Sequence, residues 1–216
     1  MVKWSFSGLK QYINCPYQYQ QVKVLQRYAA AESPQIKFGK EVHKVLEDYV
    51  RLKTEIPKDY RRFKSLVDVL LEIPGDKYVE HEMALTYDKL PCEFTSPDYW
   101  VRGIADLLIV DDDTAFVVDY KTGSNKYPDP KQLKLMALMI FAHFPTVQRV
   151  KGGLLFVVHN SFMPEEYVRS KADSYWSEFA LDLARLEMSV EKNWWPMNPT
   201  GLCKWCPVDH CEFKRY

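Results

Sequence analysis

The stretch GIADLLIVDDDTAFVVDYKTG, residues 103–123, constrains this chain more than any other. Two apolar runs, WVRGIADLLIV and AFVVDYK, flank the turn DDDT and predict an antiparallel hairpin. Each run carries one aspartate among apolar residues. With residues 111–114 as the loop, Val110 pairs with Ala115, and counting back in register sets Asp106 opposite Asp119. Cross-strand partners hold their Cβ atoms about 4.5–5.5 Å apart, and like charges there are destabilising. The fold must supply compensation. A divalent cation is the simplest, because two facing carboxylates are the hard oxygen ligands that magnesium and manganese take. The period of two then places Lys121 on the face of Asp119, one pleat along. Each of these residues alone reads as an ordinary structural charge, by a shared proton or a basic partner. The three together on one hairpin face predict a metal site, provided no bulge shifts the register.

Further ligands stand upstream. Val42, Val45, Leu46, Tyr49 and Val50 recur at helical spacing and predict an amphipathic helix from Phe38 to about Lys53. His43 follows Gly39 by four residues, so both lie on one face. A glycine there lets the helix backbone approach the sheet, and His43 then reaches over a strand. Glu80 and Glu82 alternate on a strand predicted over 78–87, and either one adds a third carboxylate.

The remaining pattern sets the fold class. A short helix GLKQYIN capped by Ser7 opens the chain, and a second helix is predicted over 58–72. After the hairpin come a helix in PDPKQLKLMALMIFAHF, a buried strand in GGLLFVVH, and a long helix over 173–194. That last helix sets Trp176, Phe179, Leu183, Leu186 and Val190 on one face. Helix, strand, hairpin, helix, strand, helix predicts an α/β (α+β) chain, a mixed β-sheet flanked by helices.

Composition narrows the partners and the compartment. The 216 residues suit one substantial domain, and 29 basic residues balance 29 acidic ones, so no overall field selects nucleic acid or membrane; any DNA-binding surface is local. The N-terminus has no apolar secretory segment, and LMALMIFAHF falls short of the ~20 residues that cross a bilayer. A soluble, cytoplasmic protein without membrane partners is expected. Five cysteines in that compartment read as thiols or metal ligands. Cys203, Cys206 and Cys211 form C-x2-C-x4-C, which needs a fourth ligand, and His210 would complete a zinc site locally. Spacing alone leaves zinc and iron-sulfur evenly placed, and Cys92, in a loop-rich connector, reads as a free thiol.

The segments GKEVH, GIAD, VVDYKTG and KQL, in that order, resemble the RecB-type nucleases of the PD-(D/E)XK superfamily. The N-terminal FSGLKQYINCPYQY with the three C-terminal cysteines resembles its iron-sulfur branch, which includes CRISPR-associated RecB-like exonucleases and the AddB nuclease domain. The resemblance spans residues 5–213 and implies a restriction-endonuclease-like fold in a single domain, 1–216. Its nuclease core would cover about 36–160, and segments at about 5–20 and 195–213 would be joined at a 4Fe-4S cluster on Cys15, Cys203, Cys206 and Cys211. It further implies a Mg2+ or Mn2+ ion held by His43, Asp106, Asp119 and the Tyr120 carbonyl, with Glu80 beside them. Lys121 would orient the attacking water or stabilise the phosphate, and Gln132 would contact DNA. In place of the tyrosine that usually follows this glutamine by four residues stands Met136. Tyr12, Tyr17 and Tyr19 would stack bases or pack around the cluster, and Lys37, Lys40, Lys44 and Lys131 would meet phosphates or remain solvated.

The activity so implied is metal-dependent hydrolysis of DNA at single-stranded ends, in recombination, replication, repair or CRISPR adaptation. A helicase or a recombination or adaptation protein would be its partner. The alternatives are a structure-specific endonuclease, a catalytically weak iron-sulfur DNA-binding scaffold, and a zinc-bearing nucleic-acid binder.

Overall fold

The computed structural model describes residues 1–29, 33–126 and 128–215. Its helices are α1 (Phe6–Asn14), α2 (Pro16–Tyr19), α3 (Pro34–Leu52), α4 (Lys64–Leu71), α5 (Lys131–His143) and α6 (Ala172–Lys192). Its strands are β1 (Asp76–Leu85), β2 (Pro91–Cys92), β3 (Val101–Asp111), β4 (Thr114–Lys121), β5 (Arg149–Phe156) and β6 (Ser161–Val168). The chain divides into two compact units, a core unit of Pro34–Trp176 and a terminal unit of Met1–Ser33 with Ser177–Tyr216.

The core unit holds one six-stranded sheet in the order β2-β1-β3-β4-β5-β6. All neighbours are antiparallel except β4 and β5, which are parallel and joined through α5. The mixed sheet with flanking helices is the architecture expected. In the hairpin Val110 pairs with Ala115 and Leu107 with Val118, the anticipated register. The turn is tighter than four residues: Asp111 pairs with Thr114, and Asp112 takes φ 52°, the left-handed conformation that two-residue hairpin loops require. Closing the loop symmetrically leaves the register unchanged.

Helical periodicity decides what α3 buries. Val42, Leu46 and Val50 pack with Ile56, Phe63 and Val67 onto Leu107, Ile109, Val118 and Tyr120. The helix α5 is buried on nearly every side, from Leu133 and Leu135 through Phe141, as suits a helix apolar all round.

Some elements differ from expectation. Residues 58–71 form a 3-10 turn, Lys58–Phe63, that continues as α4. Ser5, not Ser7, caps α1: Ser5 is extended and its Oγ accepts the Gly8 N–H at 3.3 Å, whereas Ser7 is already helical. On α6, Phe179 and Leu186 are buried, but Val190 is exposed, and the buried residue of that turn is Ser189, hydrogen-bonded to the Tyr12 hydroxyl at 2.7 Å. The strand β6 was not anticipated. Its sequence SFMPEEYV holds a proline, which an edge strand tolerates, and its Phe162 lies where a side chain of Gly153 would stand, 1.9 Å from a Cβ built there.

In the terminal unit, Tyr12 and Tyr19 are buried and pack edge-on to each other, and Tyr19 stacks on Trp195. Those two rings belong to the apolar interior and do not serve as base-stacking platforms. Among the described residues no helix is long and apolar enough to cross a membrane.

Candidate functional site

Three acids, Glu80, Asp106 and Asp119, stand on the neighbouring strands β1, β3 and β4. The β1–β3 register runs Val79↔Leu107 and His81↔Ala105, which puts Glu80 opposite Asp106; the β3–β4 ladder ends at Leu107↔Val118, so the expected Asp106–Asp119 pair is not formed, and the Asp106 carboxylate accepts the Tyr120 N–H instead. Asp106 is 9% exposed and Asp119 6%, so neither carboxylate is relieved by solvent. Glu80 takes φ 48°, a left-handed backbone that a non-glycine residue in a strand adopts only when its surroundings impose it. This local distortion distinguishes Glu80 from the exposed Glu82.

The side chains around the row come from α3, β4 and α5. His43 of α3 points Nδ1 at Asp106 Oδ1, 3.4 Å away, and donates from Nε2 to the Tyr120 carbonyl at 2.9 Å. The approach that allows this depends on Gly39, where a Cβ would lie 3.1 Å from Thr122 Oγ1. Asp106 Oδ2 accepts the Tyr120 backbone N–H at 2.6 Å. Gln132 of α5 donates to Asp119 Oδ1 at 2.6 Å and accepts from Lys121 Nζ at 2.9 Å. It therefore binds the acid and the lysine of the hairpin to each other. Asp119 Oδ2 lies 2.5 Å from Lys121 Nζ, a close ion pair.

Electrostatics follow from this crowding. Burial, then the charge of Asp106, raises the Asp119 pKa against the opposing pull of Lys121 and His43. Glu80 is raised by the same two causes in the same order. Burial pushes His43 down, but the hydrogen bond and charge of Asp106, with Asp119 and the Tyr120 carbonyl, outweigh it and set its pKa at about 8. Among the described residues, the donor atoms of His43, Glu80 and Asp106 all lie within 4.8 Å of one another, and an open hollow along α3, lined by Lys40, His43, Lys44, Glu47 and Glu80, leads to them. Asp119 stands beside this trio, held by Lys121 and Gln132.

The chemistry of the donor set fits a hard divalent cation. Carboxylates, an imidazole and a carbonyl converge.

A second cluster occupies the terminal unit. Cys15, Cys203, Cys206 and Cys211 all line a cavity of about 70 Å3. Three of the sulfurs accept N–H groups: Cys15 from the Gln18 backbone at 3.4 Å, Cys206 from the Gln18 side chain at 3.4 Å, and Cys203 from the Thr200 backbone at 3.3 Å. His210 is not available to them. Tyr17 Oη lies 2.7 Å from its Nε2 and Tyr28 Oη 2.6 Å from its Nδ1, so both ring nitrogens are engaged. Cys92 lies in β2 and belongs to the core unit.

The hairpin pattern and the family resemblance pointed to His43, Asp106, Asp119, Tyr120 and Lys121, which stand near one another, and left Glu80 and Glu82 as alternatives, of which Glu80 is the one beside His43 and Asp106. Sequence reasoning missed the bridging of Gln132 within the site and the role of Gln18. Hydrogen bonds of that kind leave no periodicity, and only the KQL motif position drew notice to Gln132.

The chain belongs to the PD-(D/E)XK nuclease superfamily, whose family model matches residues 3–82 and 72–211. Nucleases of this superfamily use divalent metal ions, in agreement with the carboxylate and histidine group. Among solved structures it is similar to a candidate exonuclease of Eubacterium rectale, at 12% identity and a TM-score of 0.55 over 97% of this chain and 88% of the other. It is also similar to SSO0001, at 13% identity and a TM-score of 0.52 over 99% of this chain and 88% of the other. At such identities the likeness concerns the fold. No curated protein matches the sequence.

Proposed function

We propose that this chain is a RecB-type, Mg2+- or Mn2+-dependent DNA exonuclease acting at single-stranded ends, with a 4Fe-4S cluster on Cys15, Cys203, Cys206 and Cys211. The observation that carries the nuclease reading is the row Glu80–Asp106–Asp119 across β1, β3 and β4, with His43 above it and Lys121 beside it.

His43, Glu80, Asp106, Asp119 and the Tyr120 carbonyl would hold the divalent ion, which supplies Lewis acidity toward a phosphate and its attacking water. The chain's own groups do the rest. The Tyr120 N–H fixes the Asp106 carboxylate, and His43 ties α3 to β4. Gln132 holds Lys121 and Asp119 in one geometry, so the ammonium faces a phosphate without reorganising. A compact ammonium suits charge that builds on phosphate oxygens.

Two observations support a cluster over a zinc ion in the terminal unit. The histidine that would complete a local zinc site is held by Tyr17 and Tyr28. N–H groups aimed at sulfur are the donors that iron-sulfur thiolates accept.

The test is degradation of end-labelled single-stranded DNA by anaerobically purified protein with Mn2+ or Mg2+, beside Lys121→Ala. Metal-dependent loss of label that falls by about 10^3-fold in the variant is the expected result, and the surviving end gives the polarity. Cleavage of a circular single strand would make the enzyme an endonuclease. Absence of cleavage by metal-loaded wild type would leave a DNA-binding scaffold.

A further inference from the structure

Arg102 lies near the start of β3, four residues before Asp106. Its guanidinium carbon sits 5.0 Å from the centroid of the Phe94 ring and 4.8 Å from that of Tyr99. Among the described residues it has no carboxylate partner and no side-chain hydrogen bond; these ring contacts are its side-chain interactions. Two aromatic rings fix the plane of a guanidinium without consuming its N–H donors, and a planar fork with free donors matches the oxygens of a phosphate.

The direction of the side chain follows from its neighbour. A Cβ on Gly103 would lie 2.9 Å from Met136 Cε of α5, so that position is turned onto α5. Strand alternation sends Arg102 and Ile104 to the other face. There Ile104 is 37% exposed, and further along the strand Asp106 meets His43 of α3. Four residues of strand span about 13 Å, the length of roughly four stacked nucleotides at 3.4 Å each. Glu82, exposed and paired with Ile104 across the sheet, disfavours a phosphate between the two ends of this path.

We propose that Arg102 is a substrate-positioning residue, gripping one phosphate of the DNA strand a few nucleotides from the bond held at the Asp106 row. This rests on the nuclease reading and adds a second anchoring point to it. Arg102 takes no part in the chemistry, so its loss appears in binding and KM while kcat holds.

The experiment compares wild type, Arg102→Gln and Arg102→Lys of the full chain, purified anaerobically. Binding of a fluorescent 12-nucleotide single strand is followed without divalent metal across a salt series, and cleavage of the same strand and of a dinucleotide is followed with Mn2+. Arg102→Gln is expected to raise Kd and KM for the 12-mer about tenfold with kcat within about twofold, and to flatten the slope of log Kd against log salt by about 0.7, one phosphate contact on a single strand. Arg102→Lys keeps the slope and recovers only part of the affinity, because it keeps the charge and loses the stacked fork. The dinucleotide, too short to reach, is cleaved equally by all three. Unchanged Kd, KM and slope in a cleaving Arg102→Gln protein, or equal losses on the dinucleotide, would overturn the proposal and leave the nuclease standing. Should Arg102→Gln fail to fold, a 12-mer affinity in Arg102→Lys equal to that of wild type overturns it as well. A wild type that neither binds nor cleaves overturns the nuclease reading and this one with it.

Discussion

The carboxylate row and the cysteine set solve opposite problems. The row gathers like charges that repel: Asp106 and Asp119 are buried on the two strands of one hairpin, just beyond the last pair of its ladder, and the charge of Asp106 helps to raise the Asp119 pKa. The cysteine set gathers ligands from the two ends of the chain; Gln18, which contacts the sulfurs of Cys15 and Cys206, is 188 residues from the latter. One site is imposed by local structure and costs stability when its ligand is absent. The other is reached only through long-range closure and, on the reading proposed here, repays that closure when its cofactor binds. A functional site can therefore be a load on the fold or a clasp for it.

Removing the clasp should have the largest effect. Cys206→Ser is expected to lose the iron and to destabilise the protein by about 5 kcal/mol, the chain-entropy value for a cross-link closing nearly the whole chain. Iron analysis and thermal melting check it, and a variant without iron that melts with wild type would remove the contrast between the two sites.

Relieving the load should act in the other direction. Asp119→Asn is expected to abolish cleavage, yet in metal-free protein at pH 7 it should raise stability by on the order of 1 kcal/mol. The sign follows from the raised folded-state pKa of Asp119, which makes its charged form a penalty above the ordinary aspartate range. The gain should vanish as the pH falls below about 4, where folded and unfolded states both hold the proton. Melting curves with chelator at pH 4 and pH 7 decide it; a loss of stability at pH 7 would mean that the Lys121 pair outweighs the burial.

The smallest effect sharpens the same comparison. The Tyr120 hydroxyl is buried and has no hydrogen-bond partner among the described residues, and burial, with the charges of Asp106 and Glu80, pushes its pKa up. Tyr120→Phe should stabilise the protein by about 1 kcal/mol and leave the backbone carbonyl and N–H of that residue in place. Urea titration measures the gain, and an unchanged cleavage rate would show that only the main chain of residue 120 serves the site.

Much of the core unit was legible. The hairpin register, the apolar face of α3 and the meeting of Lys121 with Asp119 all follow from periods of 2 and 3.6 acting over a few residues. The misses lie where local pattern is weak. The strand β6 carries Pro164 and two glutamates and is recognisable only through its pairing with β5. The α6 face drifts from Val190 to Ser189 because Tyr12, far away in sequence, offers a hydroxyl there.

The sequence by itself determined which residues meet within a hairpin or along a helix, since covalent geometry and alternation suffice for that. It also contained the cysteines and their spacing. The tertiary structure alone decided that Glu80 rather than Glu82 joins the row, through a left-handed backbone at one position. It alone decided that His210 is held by two tyrosines and that Gln132 binds the hairpin acid to its lysine. Each is a hydrogen bond or a strain between segments distant in the chain, and such contacts depend on where the packed elements bring atoms within 3 Å.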